Sequence, residues 1–398
     1  MRTVVFIAVL LWVACYCSAG VIYVDVNGPN DPGTGTYEDP FRKIGGAVDS
    51  AINGDTIIVA QGRYYENIDI ETNGIVLTST EPNDSTVVGK TIIDGNATDS
   101  VIIFEGIEGS ETVLSGFTIT NGYANYGGGV HCINGSGPAI ISCVISGNVA
   151  DNYGGGICCF DSSNPAISNC IISGNSTAIG GGTCFVDSNG TIANCLISDN
   201  LCDYGGAVAC ITGTVFITNC TVTGNSATED GNGLACNSPQ QDYPSNLQIN
   251  NCILWDQGNE IWNNDDSTIT ISYSDVYGDW PGVSNIFTSP RFGPDGYHLQ
   301  PDSPCINSGE PLADYSGEVD IDGEPRVVDG CVDIGCDEFV WMGDLDYNGD
   351  VNWTDLKRFV QDWQQTGDGR PADFNDDKVV NFGDFAVLAE NWMLVRRK

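Results

Sequence analysis

The sequence predicts an all-β solenoid followed by a small α-helical module that carries two cation-binding loops. Three observations predict it. Residues 115–255 repeat every 25–27 positions, rich in β-branched residues and without helical spacing. Residues 344–355 recur as residues 373–384, each matched position 29 residues from its copy. An apolar helical pattern follows each copy: Leu356, Phe359, Val360, Trp363, then Phe385, Leu388, Ala389, Trp392.

The chain opens with one Arg, an apolar run and small residues at Ser18 and Ala19. This is the pattern of a secretory signal peptide over residues 1–19, with cleavage expected after Ala19. Ala14-Cys15 offers a lipoprotein site as the alternative. A secreted, extracellular or cell-surface protein is therefore expected. No later run is long enough to span a bilayer.

Acidic residues number 53 and basic ones 14, for a formal net charge of −39. No Lys or Arg occurs between Lys90 and Arg291. Such a stretch offers no phosphate-binding surface, which excludes nucleic acid and anionic membranes as partners. Seventeen cysteines occur, two of them in the leader. The remaining fifteen are odd in number, so at least one is unpaired or intermolecular. No Cys-x-x-Cys spacing builds a zinc site.

Phe41, Ile44, Val48, Ala51 and Ile52 have helical spacing. A helix there would cover the apolar open end of the first coil, as a solenoid needs. In the repeats, identical residues form columns, because coils stack at about 4.8 Å. Cys143, Cys170, Cys195, Cys220 and Cys252 make one column, read as buried thiols rather than a disulfide zipper. Ile145, Ile172, Ile197, Val222 and Leu254 lie two residues on, hence on the same inward face. Asn121, Asn148, Asn175, Asn200 and Asn225 are expected to form a hydrogen-bonded amide ladder at a turn. Tyr126, Tyr153, Ile179 and Tyr204 precede the glycine clusters. They are either a sugar platform or a shield for the coil edge.

The Asn-Cys-x-Ile-x-Gly-Asn units resemble the right-handed parallel β-helix of the pectate-lyase-like superfamily. The flanks resemble it too, from "VIYVDVNGPNDPGTG" to "DIDGEPRVVDGCVDIGCDEF". The resemblance implies one β-helix domain over residues 20–340, with an N-terminal capping helix and a C-terminal closing segment. It does not fix function, because one fold hosts many chemistries.

A lyase of that superfamily needs a base, often Arg or Lys, and the coils supply neither. His131 is their one histidine and reads as structural; Tyr126 or Tyr153 would be the substitute base. Hydrolysis needs converging carboxylates. Asp161 and Asp187 share a column one coil apart, beside Asn134 and Thr212, and are the catalytic candidates. Asp151 and Asp203 flank the glycine clusters, and Asp265-Asp266 lies outside the repeats. The competing reading makes all of these solvated turn residues or Ca²⁺ ligands.

The tail, residues 341–398, places oxygen side chains at positions 1, 3, 5, 9 and 12 of each twelve-residue loop, with a backbone carbonyl at position 7. The first set is Asp344, Asp346, Asn348, Asp350, Asn352 and Asp355. The second is Asp373, Asn375, Asp377, Val379, Asn381 and Asp384. This spacing wraps Ca²⁺. Lys378 stands where Gly349 stands in the first loop, so it must take a left-handed backbone and the second site is expected to be the weaker. The double loop, without a helix before it, resembles a type I dockerin. The resemblance implies two Ca²⁺ ions and a cohesin-type protein partner. It also implies contact through Trp353, Thr354, Val360 and Gln361 or through Phe382, Gly383, Ala389 and Glu390. The two sets differ in chemistry, which argues against equivalent docking in two orientations.

The reading is thus a secreted β-helix protein that binds or processes extracellular polysaccharide and docks into a complex through its tail. Two alternatives stand beside it. One is a carbohydrate-active enzyme, with glycoside hydrolysis favoured over an Arg- or Lys-dependent lyase. The other is a non-catalytic structural or adhesive stalk.

Overall fold

The structure, a computed structural model, describes residues 19–106, 111–236, 244–311, 315, 317–328, 330–367, 370–375 and 377–394. The expected leader, apart from Ala19, lies outside the described residues.

Three parallel sheets of ten, nine and eight strands wrap one core. Sheet 1 runs from Val21–Val24 to Thr268–Ser272, sheet 2 from Gly62–Tyr65 to Asp275–Val276, and sheet 3 from Ile68–Ile70 to Ile261–Asn263. Each coil gives one short strand to each sheet. Alternation along each strand decides what fills the inside. Sheet 1 lines up Ile140, Ile167, Ile192, Ile217 and Ile249 in strict register. Sheet 2 lines up Ile119, Ile145, Ile172, Ile197, Val222 and Leu254. All of these are at most 2% exposed. Each buried Ile contributes roughly 1.5–3 kcal/mol relative to an exposed one.

The fifteen cysteines from Cys132 onward are free thiols. In the column they do more than fill space. Each Sγ donates to the carbonyl two residues before it, from Cys170 to Ser168 at 3.2 Å and from Cys195 to Ala193 at 3.2 Å. Each also accepts from the previous coil: Cys170 N–H donates to Cys195 Sγ and Cys195 N–H to Cys220 Sγ, both at 3.4 Å. Ser274 ends the column with a hydroxyl doing the same two jobs. Burial pushes the Cys143, Cys195 and Cys252 thiols well up, so they stay protonated donors.

The amide ladder forms, with one correction. Asn148 donates to Asn175, Asn175 to Asn200 and Asn200 to Asn225, with Nδ2–Oδ1 distances of 2.9–3.0 Å. Asn121 is not a rung. Its coil reads Asn-Gly where the others read Gly-Asn or Asp-Asn, so Gly122 occupies the ladder position and donates its N–H to Asn148. Asn121 takes the left-handed turn position instead, at φ 58°, where Gly147 and Gly174 stand in the next coils. At the other end Asp256 receives Asn225.

Glycine is required where coils turn out of sheet 2 toward sheet 3. Gly154 sits at φ 62°, and a Cβ on Gly128 would lie 2.4 Å from the Val149 carbonyl oxygen of the next coil.

Both ends of the stack are covered. Helix α1, Ile44–Ser50, buries Ile44, Ala47 and Val48 against the first coils, as expected. Lys43 gives it no side-chain cap; Glu66 accepts from the N–H groups of Ile44 and Gly45 at 2.8 and 2.9 Å instead. Helix α2, Ser85–Val88, is a single turn capped by Asp84. Trp280 packs against the core near the last coil. The chain then runs back outside sheet 2. Asn251 Nδ2 donates to Asp333 O, Cys336 N–H to Thr221 Oγ1 and Asn194 Nδ2 to Val319 O. Ile253, Leu299, Cys305 and Ile334 form the apolar seam of this return segment.

The tail folds around Leu345, Val351, Phe359, Ala372, Val380 and Leu388. Its helices are α3, Trp353–Asp362, and α4, Phe382–Glu390. Val351 exchanges backbone hydrogen bonds with Met393 and Leu394, beyond α4, and Val380 with Gln364 and Gln365, beyond α3. Each loop is thereby tied to the end of the other loop's helix. No helix among the described residues is long and apolar enough to cross a membrane.

Candidate functional site

The two acidic loops are near copies in three dimensions. Asp344 accepts from the N–H groups of Asn348 and Gly349; Asp373 accepts from those of Asp377 and Lys378. Asp355 and Asp384 sit at the third helical position, fully buried, and close capping boxes with Asn352 and Asn381. These bonds fold each loop back on itself, and its carboxylates converge. Oxygens of Asp344, Asp346 and Asp355 lie within 4.8 Å of one another, as do those of Asp373, Asp377 and Asp384. Asp346 Oδ1 is buried without a hydrogen-bond partner among the described residues. Burial, helped by the neighbouring Asp355 and Asp346 charges, raises Asp344 to about 6. Converging carboxylates with an unsatisfied buried oxygen fit a bound hard cation.

Position 9 is the exception. Asn352 and Asn381 spend their Oδ1 atoms on the N–H groups of Thr354 and Gly383, both at 2.8 Å, as helix caps. Their amides point at the position-7 carbonyls of Asp350 and Val379. Asn348 and Asn375 accept backbone N–H groups within their own loops. Lys378 has φ 68°, matching the left-handed Gly349 at φ 86°. The second loop is also the more open: Asn375, Asp377, Lys378 and Val379 are exposed.

The eight partner candidates lie on the outside of this module. Trp353, Thr354, Val360, Gln361, Phe382, Gly383, Ala389 and Glu390 are all exposed. Trp353 is 73% and Phe382 76% exposed. Edge contacts to Trp392 and Trp363 hold these two rings in place.

On the solenoid, Asp161 and Asp187 do share a turn column. Asn134, Asp161, Asp187 and Thr212 all sit in the left-handed region, at φ 58°, 52°, 47° and 64°. Both carboxylates are exposed, while their carbonyls accept the N–H groups of Gly135 and Ser162. Short polar residues suit that backbone, which accounts for the column without chemistry. Asp151 and Asp203 accept from Tyr123 and Thr228 hydroxyls. Asp265 is buried and accepts from Ser267. Burial lowers His131. Tyr126 and Tyr153 stack at 5.8 Å and 10°, and Tyr204 stacks on Trp262 at 5.0 Å. Tyr126, at the start of the column, is still 37% exposed. Tyr153, Phe160 and Ile179 cover Cys184, Val186, Ala209 and Ile211, so the column shields the outer face of sheet 3.

A cleft that sequence reasoning missed lies where the return segment leans over the turn between sheets 1 and 2. Its volume is about 610 Å³. Asn169, Asn194 and Asn219 line one wall, and Glu310, Tyr315 and Glu318 the other. Asn194 is only 6% exposed, and its Oδ1 has no hydrogen-bond partner among the described residues. Burial raises Tyr315 to about 12, so it is a hydroxyl donor at neutral pH. Thr218 lines the floor, and Phe216, two residues before it on the same strand face, is 42% exposed. Amides, hydroxyls and carboxylates beside an exposed ring suit a polyhydroxylated, uncharged ligand. The repeated Asn before each Cys was the available signal for one wall; the other comes from residues 91 to 149 positions away.

Residues 73–252 match the family described as "Right handed beta helix region". An uncharacterized protein of Bacillus subtilis (strain 168), YwoF, is 29% identical over 104 residues; the match covers 26% of this chain and 17% of that relative's length. Pectate lyase Pel9A superposes with a TM-score of 0.41 at 14% identity, covering 81% of this chain and 97% of that one. A pectin methylesterase from Aspergillus niger gives 0.41 at 16% identity, covering 67% and 85%. The parallel sheets and this match agree: this chain carries a right-handed parallel β-helix domain.

Proposed function

We propose that this protein is a secreted polysaccharide-binding β-helix, tethered through a calcium-dependent, dockerin-like tail to a cohesin-type partner. The observation that carries the tether is the outward placement of all eight helix positions beside two convergent acidic loops. Asp344, Asp346, Asn348, the Asp350 carbonyl, Asn352 and Asp355 would hold one Ca²⁺. Asp373, Asn375, Asp377, the Val379 carbonyl, Asn381 and Asp384 would hold the other. Position 9 would serve through a water, because its oxygen caps the helix. Calcium neutralises carboxylates that otherwise repel, and so fixes the helices that present Trp353 and Phe382.

The polysaccharide is assigned to the cleft of Asn194, Glu310, Tyr315 and Glu318. Its amides and acids bind sugar hydroxyls, and Phe216 offers an apolar face. Acidic walls favour a neutral glycan over a uronate. The test pairs two assays on the full chain. Retention on a cohesin panel should require Ca²⁺ and vanish with chelator; calcium-independent capture, or none, refutes the tether. Retention on neutral insoluble glycans should fall about fivefold in Tyr315→Phe, the loss of roughly one hydrogen bond. Unchanged retention removes the cleft from the reading. Product analysis in the same incubations separates binding from cleavage.

A further inference from the structure

A third polar cluster lies outside the cleft and the duplicated loops, on the return segment. His298 is at its centre. Its Nδ1 lies 2.9 Å from Asp295 Oδ2, and its Nε2 lies 2.9 Å from Asp322 Oδ2. Nε2 is also 4.0 Å from Asp337 Oδ1. Asp295 is itself fixed, because its Oδ1 accepts the N–H groups of Tyr297 and His298 at 3.1 Å each. An anchored carboxylate on Nδ1 selects the tautomer with a hydrogen there. Asp322, 2.9 Å from Nε2, favours a second hydrogen there, so a metal ion bound at Nε2 would displace that proton.

Asp337 supplies an independent observation. Its side chain is 6% exposed. Oδ2 accepts the Leu299 N–H at 2.9 Å, while Oδ1 accepts no hydrogen bond among the described residues and is aimed at the imidazole. It pairs with His298 at 4.0 Å, longer than a hydrogen bond. Asp320 and Glu324 stand near enough to add their charge to the group, with His298 and Arg326 as the opposing cations.

We propose that His298 Nε2, Asp322 and Asp337 bind one divalent transition-metal ion of the zinc class, with solvent in the remaining position. The three ligand atoms lie within 4.8 Å of one another. One imidazole nitrogen and two carboxylate oxygens suit Zn²⁺ or Mn²⁺, whereas Ca²⁺ prefers the all-oxygen loops of the tail. Asp295 is a positioning residue that holds the ring. The ion would pin residues 295–298 to residues 322 and 337, and so lock the return segment that forms one wall of the cleft.

The full chain, stripped with chelator and resupplied with saturating Ca²⁺, is titrated with Zn²⁺ by calorimetry. One equivalent is expected to bind. That equivalent should disappear in His298→Gln and in Asp322→Asn, and persist in the tail variant Asp373→Asn. Asp295→Asn should bind roughly 10- to 100-fold more weakly. Asp322 is 37% exposed, so its variant keeps the test alive if His298→Gln misfolds. Zinc uptake unchanged in both ligand variants overturns the proposal. So does a wild-type chain that takes up no zinc while its His298 stays doubly protonated by NMR, an imidazolium bridging Asp295 and Asp322.

Discussion

Replacing Asn175 with alanine tests whether the amide ladder holds the coils together. Asn175 is fully buried. Its Nδ2 donates to Ile145 O at 2.9 Å and Asn200 Oδ1 at 3.0 Å. Its Oδ1 accepts the Asn148 N–H and Nδ2, both at 3.0 Å. Alanine removes all four bonds. Asn148 Nδ2 keeps Ile119 O, but the Asn148 N–H loses its side-chain acceptor in a buried site. Four net hydrogen bonds of ~1 kcal/mol each give a loss of about 4 kcal/mol, and a water in the vacated space would reduce it to about 3 kcal/mol. The control is Asn121→Gly. It removes one bond, to Asp94 at 2.8 Å, from an exposed turn whose φ of 58° glycine accepts freely. That should cost under about 1 kcal/mol. Urea unfolding of both variants, followed by far-ultraviolet circular dichroism, makes the comparison. If the two midpoints coincide, the ladder is incidental and the isoleucine columns alone hold the stack.

Three further outcomes are expected. Cys195→Ser should keep both ladder bonds and cost about 1 kcal/mol, whereas Cys195→Val strands the Cys170 N–H and should cost about 1–3 kcal/mol more by thermal melting. Glu260→Gln should lift stability at neutral pH: Asp256 Oδ2 and Glu260 Oε1 are buried together with no donor among the described residues, and burial raises Asp256 to about 6 and Glu260 well above its usual range. A raised carboxyl stabilises fully below pH about 4 and loses that contribution as pH rises through about 6, so melting scans from pH 4 to 8 should show a flatter profile for Glu260→Gln than for the wild-type chain. Asp161→Asn with Asp187→Asn should leave any glycan cleavage unchanged, since both residues suit the left-handed turn by size and polarity; loss of cleavage with an intact circular dichroism spectrum would assign them a catalytic role.

The columns were legible because a parallel coil repeats its environment at every turn. Cys143 to Cys252 and Ile145 to Leu254 therefore carry the same signal several times. The acidic loops were legible as a spacing, down to the left-handed Lys378. What escaped were features made once. Asn121 looked like a rung because its coil inverts the Gly-Asn order, a change of one position that swaps turn for ladder. Asp256 ends the ladder as a carboxylate, where a pattern of asparagines gave no reason to look. The thiol ladder needed hydrogen-bond geometry to separate it from simple burial. Glu66 caps α1 from 21–22 residues away, and the cleft and the His298 cluster depend on a return segment with no periodicity at all.

The register of the coils has a bearing on how long such a molecule can be. Every interior coil presents to its successor the edge it receives from its predecessor, amide for amide and thiol for thiol. Removing one 25-residue unit, such as 170–194, would bring Cys143 against Cys195 and Asn148 against Asn200 with no mismatch inside. Nothing in the barrel itself counts its turns. The return segment spans only three of them. It is fastened at Asn194, Thr221 and Asn251 by Val319, Cys336 and Asp333, three successive coils met at three set points along one strap. Without 170–194, Asn169 would stand where Asn194 meets Val319, so the strap and its cleft would survive the loss of a turn.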